Sequence, residues 1–167
     1  ESLLGLINDL LDFSRIEAGK LELVSAPFDV RELLGDTLRT LGVRAHQKGL
    51  ELVSRIAPEV PRLVTGDAAR LRQVVVNLVG NAIKFTASGE VLLEVQAPER
   101  DAEGATLAFV VADTGIGIPL EKQRLIFEAF AQADGSTTRE YGGTGLGLAI
   151  ASRIVAAMGG QLEVESA

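Results

Sequence analysis

An apolar run, Leu107-Ala108-Phe109-Val110-Val111-Ala112, leads without a break into Asp113-Thr114-Gly115-Ile116-Gly117-Ile118-Pro119. The run reads as a buried strand. It delivers a carboxylate to the strand end, followed by two glycines one residue apart. A carboxylate there can accept a hydrogen bond from an exocyclic amine, and glycines let the backbone come close to a flat ligand. The same letters also suit a strand that ends in an ordinary Asp-Gly turn. Which reading holds depends on what the rest of the chain places beside this corner.

With 167 residues the chain suits one domain, with room for an appendage, and can bury a proper core. Hydrophobic residues at 47% against 23% charged describe a globular chain, not a disordered one. The absence of Cys excludes disulfides and thiolate metal sites and permits a reducing compartment. Apolar runs stay far below the ~20 residues of a membrane span, and these residues show no signal-peptide pattern, although the chain begins mid-pattern at Glu1, as a piece of a membrane-anchored parent would. No membrane contact by this chain is expected. A net charge of −7 argues against nucleic acid as the main partner. A polyanionic ligand would need local cations or a metal.

Along the chain, Leu3, Leu6, Leu10 and Phe13 recur at spacings of three and four, flanked by Leu4, Ile7 and Leu11. That predicts a helix with an apolar seam wide enough for a bundle, capped near Gly19. An ordinary core helix would show the same pattern. Leu21–Val24 reads as a strand. Asp29, Glu32, Phe28 and Leu33 form an N-cap, a capping box and a hydrophobic staple for a helix that stops at Gly49. The one histidine, His46, lies near the end of this helix among Arg44, Gln47 and Lys48, as a surface residue and not as a phosphorylated one. Leu50–Ile56 alternates as a strand, and Pro58 and Pro61 bracket a loop.

Asp67 then caps a helix whose apolar face is Leu71, Val74, Val75, Leu78, Val79 and Ala82. A polar stripe of Arg70, Gln73, Asn77, Asn81 and Lys84 runs down another side. Asn is a poor helix former, so two of them at i and i+4 call for a reason. A solvated face is one account, although such faces usually favour Glu, Lys and Arg. The other is an Asn81 side-chain carbonyl as an oxygen ligand to Mg²⁺, with Lys84 facing phosphate.

Glu90–Gln96 alternates as a strand, and the charged loop Pro98–Gly104 joins it as an antiparallel hairpin to the strand that ends at Asp113. A short helix after Pro119 carries Leu125, Ile126, Phe127 and Phe130. Ala131–Thr144 is poor in apolar side chains and rich in Gly, Ser and Thr, as in a ligand lid or a disordered segment. It runs through Tyr141-Gly142-Gly143-Thr144-Gly145-Leu146-Gly147 into a helix over Leu148–Met158, where glycines and free N–H groups suit an anion. This is neither a Walker loop nor a Rossmann fingerprint, since no Gly-Lys-Ser/Thr follows and Leu148 stands three beyond Gly145. Gln161–Glu165 opens a last strand.

Four of these stretches, in this order and spacing, resemble the motifs of the histidine protein kinases. Asn77-Leu-Val-Gly-Asn81-Ala-Ile-Lys84-Phe85-Thr86 looks like the N box and Asp113-Thr-Gly115-Ile-Gly117-Ile118 like the G1 box. Ile126-Phe127-Glu-Ala-Phe130 resembles the F box and Gly143-Thr144-Gly145-Leu146-Gly147-Leu148 the G2 box. Asp12-Phe13-Ser14-Arg15-Ile16-Glu17-Ala18-Gly19 is similar to the end of the second dimerisation helix, particularly in hybrid sensor members. The resemblance covers essentially the whole chain.

It implies an α+β fold, a two-layer α/β sandwich of the Bergerat type, with a mixed sheet and helices on one face. Residues 1–18 would be the end of a dimerisation helix and 19–167 a catalytic ATP-binding domain. ATP and Mg²⁺ are the implied cofactors. Carried over by residue, Asp113 accepts from the adenine amine, Gly115 and Gly117 shape the base pocket, and Ile118 and Phe85 join the ATP-binding set. Asn81 holds Mg²⁺, Asn77 and Lys84 lie near the phosphates, and Gly143, Thr144, Gly145, Leu146, Gly147 and Leu148 close over them. Arg139 is our candidate for the γ-phosphate; a solvent-facing pair with Glu140 is its alternative. The implied partners are a response-regulator receiver domain and the protein's own dimerisation hairpin in a homodimer. The implied location is cytoplasmic, compatible with a parent anchored in the inner membrane.

The family's acceptor histidine lies on a first dimerisation helix, expected before Glu1, and a further strand is expected after Ala167. Two alternatives stand beside the kinase reading. Self-sufficient ATPases resembling gyrase and MutL place a Glu four residues before the metal-binding Asn as general base, where this chain has Asn77. A nucleotide-sensing scaffold, or pseudokinase, would keep Asn81, Asp113 and the glycines without transferring phosphate.

Overall fold

The computed structural model describes residues 3–100, 104–130 and 145–166. Its elements are α1 (Leu3–Glu17), β1 (Ala26–Asp29), α2 (Val30–Gln47), β2 (Glu51–Ile56), β3 (Leu63–Gly66), α3 (Ala68–Phe85), β4 (Glu90–Arg100), β5 (Ala105–Asp113), a 3₁₀ turn (Leu125–Phe127) and α4 (Gly147–Ala157). They form two compact units: Ser25–Ile116, and Glu1–Val24 together with Gly117–Ala167.

In the Ser25–Ile116 unit, both long helices begin where a carboxylate takes up orphan N–H groups. Asp29 accepts from the Arg31 and Glu32 amides, and Asp67 from the Arg70 amide. Arg62 adds an ion pair to Asp29 from 33 residues away, a partner that no local pattern reveals. α2 ends in a Schellman motif: the Gly49 amide donates to the His46 carbonyl and the Leu50 amide to that of Ala45, with Gly49 at φ +70°. His46 is exposed, as expected.

The sheet runs β2-β4-β5, with β2 parallel to β4 and β4 antiparallel to β5. Its alternation is strict on β4, where Val91, Leu93 and Val95 are fully buried. These pack with Val30, Leu34 and Leu41 of α2, Leu71, Val75 and Val79 of α3, and Phe109 and Val111 of β5. Burying each such side chain stabilises the fold by about 1.5–3 kcal/mol. The two helices lie side by side and both pack on the sheet, α2 against β2 and α3 against β4 and β5. This is the expected mixed sheet with helices on one face. A two-stranded antiparallel ribbon, β1 with β3, places Phe28 opposite Val64. The sequence reading put a strand at Leu21–Val24 instead; those residues form none, and the ribbon begins at Ala26.

In the other unit, α1 packs against α4, and α4 against the 3₁₀ turn. Phe13 meets Phe130 edge to face with ring centroids 6.1 Å apart. Arg153 lies 5.5 Å above the Phe13 ring and pairs with Glu17. No residue of α1 is buried, and Leu3 and Leu4 are 75% and 69% exposed. Leu6 and Leu10, which a core helix would bury, are 42% and 49% exposed. The short helix expected after Pro119 is only a single 3₁₀ turn. Leu162, Val164 and Ser166 alternate with exposed neighbours as a strand would, yet no ladder partner appears among the described residues.

Candidate functional site

The polar stripe of α3 is less solvated than a plain surface face. Asn77, Asn81 and Lys84 follow at i, i+4 and i+7 and are all half-buried. The Lys84 ammonium sits 4.8 Å from the Phe85 ring centroid. Arg70 donates to Gln73 at 2.7 Å higher up the helix.

Asp113 closes β5 opposite Val91, and the period of two places it on the helix-facing side shared by Phe109 and Val111. Its Oδ1 accepts the Gly115 amide at 2.8 Å, which folds the chain into an Asx turn. One carboxylate oxygen thus shapes the turn, and the second can serve a donor from outside.

Gly115 then lies directly on the end of α3. A Cβ there would stand 2.7 Å from Asp113 Oδ1 and 2.7 Å from the Phe85 carbonyl oxygen. Only a residue without a side chain fits this approach. The last turn of the asparagine helix and the turn after β5 are therefore one corner.

Two residues that the sequence did not single out hold it. Thr114 bonds to the start of β4: its amide donates to the Glu90 carbonyl at 3.2 Å, and its hydroxyl accepts the Glu90 amide at 3.1 Å while facing the Ser88 carbonyl at 3.3 Å. Lys48 Nζ reaches the end of α3, 2.7 Å from the Ile83 carbonyl and 2.9 Å from those of Lys84 and Thr86. Both act across 24 to 38 positions, which periodicity does not register.

The remaining sequence-predicted residues lie elsewhere. In the unit that contains α4, Ile118 donates its amide to Ser166 Oγ at 2.8 Å, and Gln123 bridges the Ile118 and Ser166 carbonyls at 3.0 and 3.2 Å. This ties the residues after Gly117 to the C-terminal segment. Gly145 accepts the Phe130 amide at 3.1 Å, Leu146 is buried at the N-cap position of α4, and Gly147 and Leu148 open that helix. Arg139, Gly143 and Thr144, with the expected lid over 131–144, lie outside the described residues.

The corner suits a base with an exocyclic amine: Gly115 lets the turn pack closely on the end of α3, and the exposed Asp113 carboxylate keeps one oxygen beyond the one that the Gly115 amide occupies. The donor set also fits Mg²⁺, which takes few protein oxygens and keeps phosphate and water ligands, since Asn81 offers one amide carbonyl. Among the described residues no helix is long and apolar enough to cross a membrane.

Residues 66–167 match the family model described as histidine kinase-, DNA gyrase B-, and HSP90-like ATPase. The chain belongs to this ATPase family. Among curated relatives it is 49% identical to the sensor histidine kinase GacS of Pseudomonas protegens over 99% of this chain and 18% of that protein. It is 47% identical to the signal transduction histidine-protein kinase BarA of Escherichia coli K12, again over 99% of this chain and 18% of the relative. The chain thus spans about a fifth of the length of these relatives. Among solved structures it superposes on full-length ShkA, crystallised in complex with AMPPNP, with a TM-score of 0.79, 43% identity and coverage of 94% of this chain and 31% of that one.

Proposed function

We propose that this chain is the ATP-binding catalytic domain of a sensor histidine kinase. It would bind Mg²⁺-ATP and present the γ-phosphate to a histidine on a dimerisation helix for relay to a receiver domain. The observation that carries the reading is the corner where Asp113 and Gly115 meet the Phe85 carbonyl at the end of the Asn77–Asn81 helix. The likeness to ShkA, solved with AMPPNP, supports it.

In this reading Asp113 accepts from the adenine amine, and Gly115, Gly117, Ile118 and Phe85 form the base pocket. Asn81 holds Mg²⁺, and Asn77 and Lys84 face the phosphates. Gly143 to Leu148 cover them, with Arg139 toward the γ-phosphate. Bound ATP supplies the phosphoryl group, and Mg²⁺ offsets its charge. The protein's part is positioning, since phosphoryl transfer needs little covalent chemistry from side chains. A neutral imidazole is already a nucleophile, so no carboxylate base is required where Asn77 stands. An ATPase that activates water would need one. The domain is proposed to work in the cytoplasm, within a homodimer.

The test is phosphoryl transfer from ATP to a separately supplied helical hairpin carrying an acceptor histidine. Acid-labile phosphate on the hairpin is expected, and at an ATP concentration near the dissociation constant of the unaltered chain it should fall sharply with Asp113→Ala. Nucleotide binding without transfer would favour the scaffold reading.

A further inference from the structure

We infer that Lys48 is a positioning residue for the nucleotide corner, an inference that rests on the ATP reading above. The last carbonyls of a helix have no partner within it and carry the negative end of its dipole. On α3 one of them is served locally: the Ala82 carbonyl accepts both the amide and the hydroxyl of Thr86. The next carbonyls, those of Ile83 and Lys84, and the Thr86 carbonyl just beyond, all go to the Lys48 ammonium at 2.7–2.9 Å. An ammonium has three donors. All three are used here, at charge-assisted distances.

Phe85 is the residue bracketed by this arrangement. Lys48 grips the carbonyls on either side of it, Lys84 and Thr86, and leaves the Phe85 carbonyl to form the wall that Gly115 approaches. A small rotation of the Phe85 peptide would move that oxygen against Gly115 or away from it. Gly115 in turn fixes Asp113 through its amide. Lys48 itself is held firmly. It is the C-cap of α2, and the Schellman motif and the buried Leu50 fix the chain on its far side. The ammonium thus transmits the rigid end of α2 to the adenine-facing side of the site without touching ligand.

The discriminating experiment measures ATP and ADP affinity by calorimetry on the full 167-residue chain at a temperature where each variant is folded. Lys48→Met keeps the aliphatic stem and removes the donors. It should weaken both nucleotides alike by about ten-fold, equivalent to ~1.4 kcal/mol, because the base corner is common to both. Lys48→Arg, which restores charge and several donors, should recover most of this loss. Val95→Ala, which truncates the core under β4, serves as a matched loss of stability and should bind as wild type. Lys48→Gln, with two donors on a shorter stem, carries the same comparison if the methionine variant does not fold, with an intermediate loss expected. Wild-type affinity in Lys48→Met or Lys48→Gln, or an equal loss in Val95→Ala, overturns the positioning role. Failure of the unaltered chain to bind either nucleotide overturns the ATP reading instead.

Discussion

A methyl group added to Gly115 would meet the Phe85 carbonyl oxygen and an Asp113 oxygen at once, both at 2.7 Å. The carboxylate can swing away, but the backbone carbonyl cannot without unwinding the end of α3. Gly115→Ala is therefore expected to destabilise the fold by about 1–3 kcal/mol and to lose nucleotide affinity beyond what that destabilisation explains. Thermal denaturation and calorimetry on one sample separate the two effects. Asn81→Ala should behave differently: the loss falls on Mg²⁺-dependent affinity, while binding measured in chelator stays near wild type. Unchanged Mg²⁺ dependence would move the metal to other ligands. At this scale the sequence showed Asp113, Gly115 and Asn81, because a strand-terminal acid, paired glycines and helical asparagines each break an ordinary preference. Lys48 and Thr114 were illegible, because a surface-type lysine and a turn threonine become informative only once their distant carbonyl partners are known.

Among the elements, α2 depends on one charged cap. The hydrogen bond from Arg62, more than the amides of Glu32 and Arg31, holds the Asp29 carboxyl below its usual 3.8. In the unfolded chain the group returns to that value. The folded state then binds fewer protons, so the stability Asp29 contributes is present above pH 3.8 and is lost as pH falls through the depressed folded value. Asn caps helices about as well as Asp, so Asp29→Asn should keep the helix start and flatten the acid limb. Urea midpoints measured from about pH 6 down to about pH 2.5 check this; an unchanged acid slope would refute it. Helices and long strands were legible because their periods repeat several times. The β1–β3 ribbon was not, since each strand has only four residues. The alternation at 161–166 is real, but alternation alone does not provide a neighbouring strand.

For the whole molecule, most of the apolar seam of α1 stays uncovered by the described residues: Leu3, Leu4, Leu6, Ile7, Leu10 and Leu11 are all exposed. A stripe of that kind suits the partner helices of a bundle. A chain beginning at Lys20 should keep its nucleotide affinity within about threefold and lose any concentration-dependent association, because a lone two-helix contact is marginal. Sedimentation over a hundred-fold concentration range reads the association. Unfolding of the shortened chain would assign α1 to the domain itself. The central claim is that the Asp113–Gly115 corner against α3 binds the adenine of ATP. Calorimetric titration of the unaltered chain and of folded Asp113→Ala with ATP and ADP tests it directly. Loss of a hydrogen bond to a charged acceptor should weaken both nucleotides by roughly ten- to a hundred-fold, ~1.5–3 kcal/mol. Equal affinities in the two proteins would contradict it.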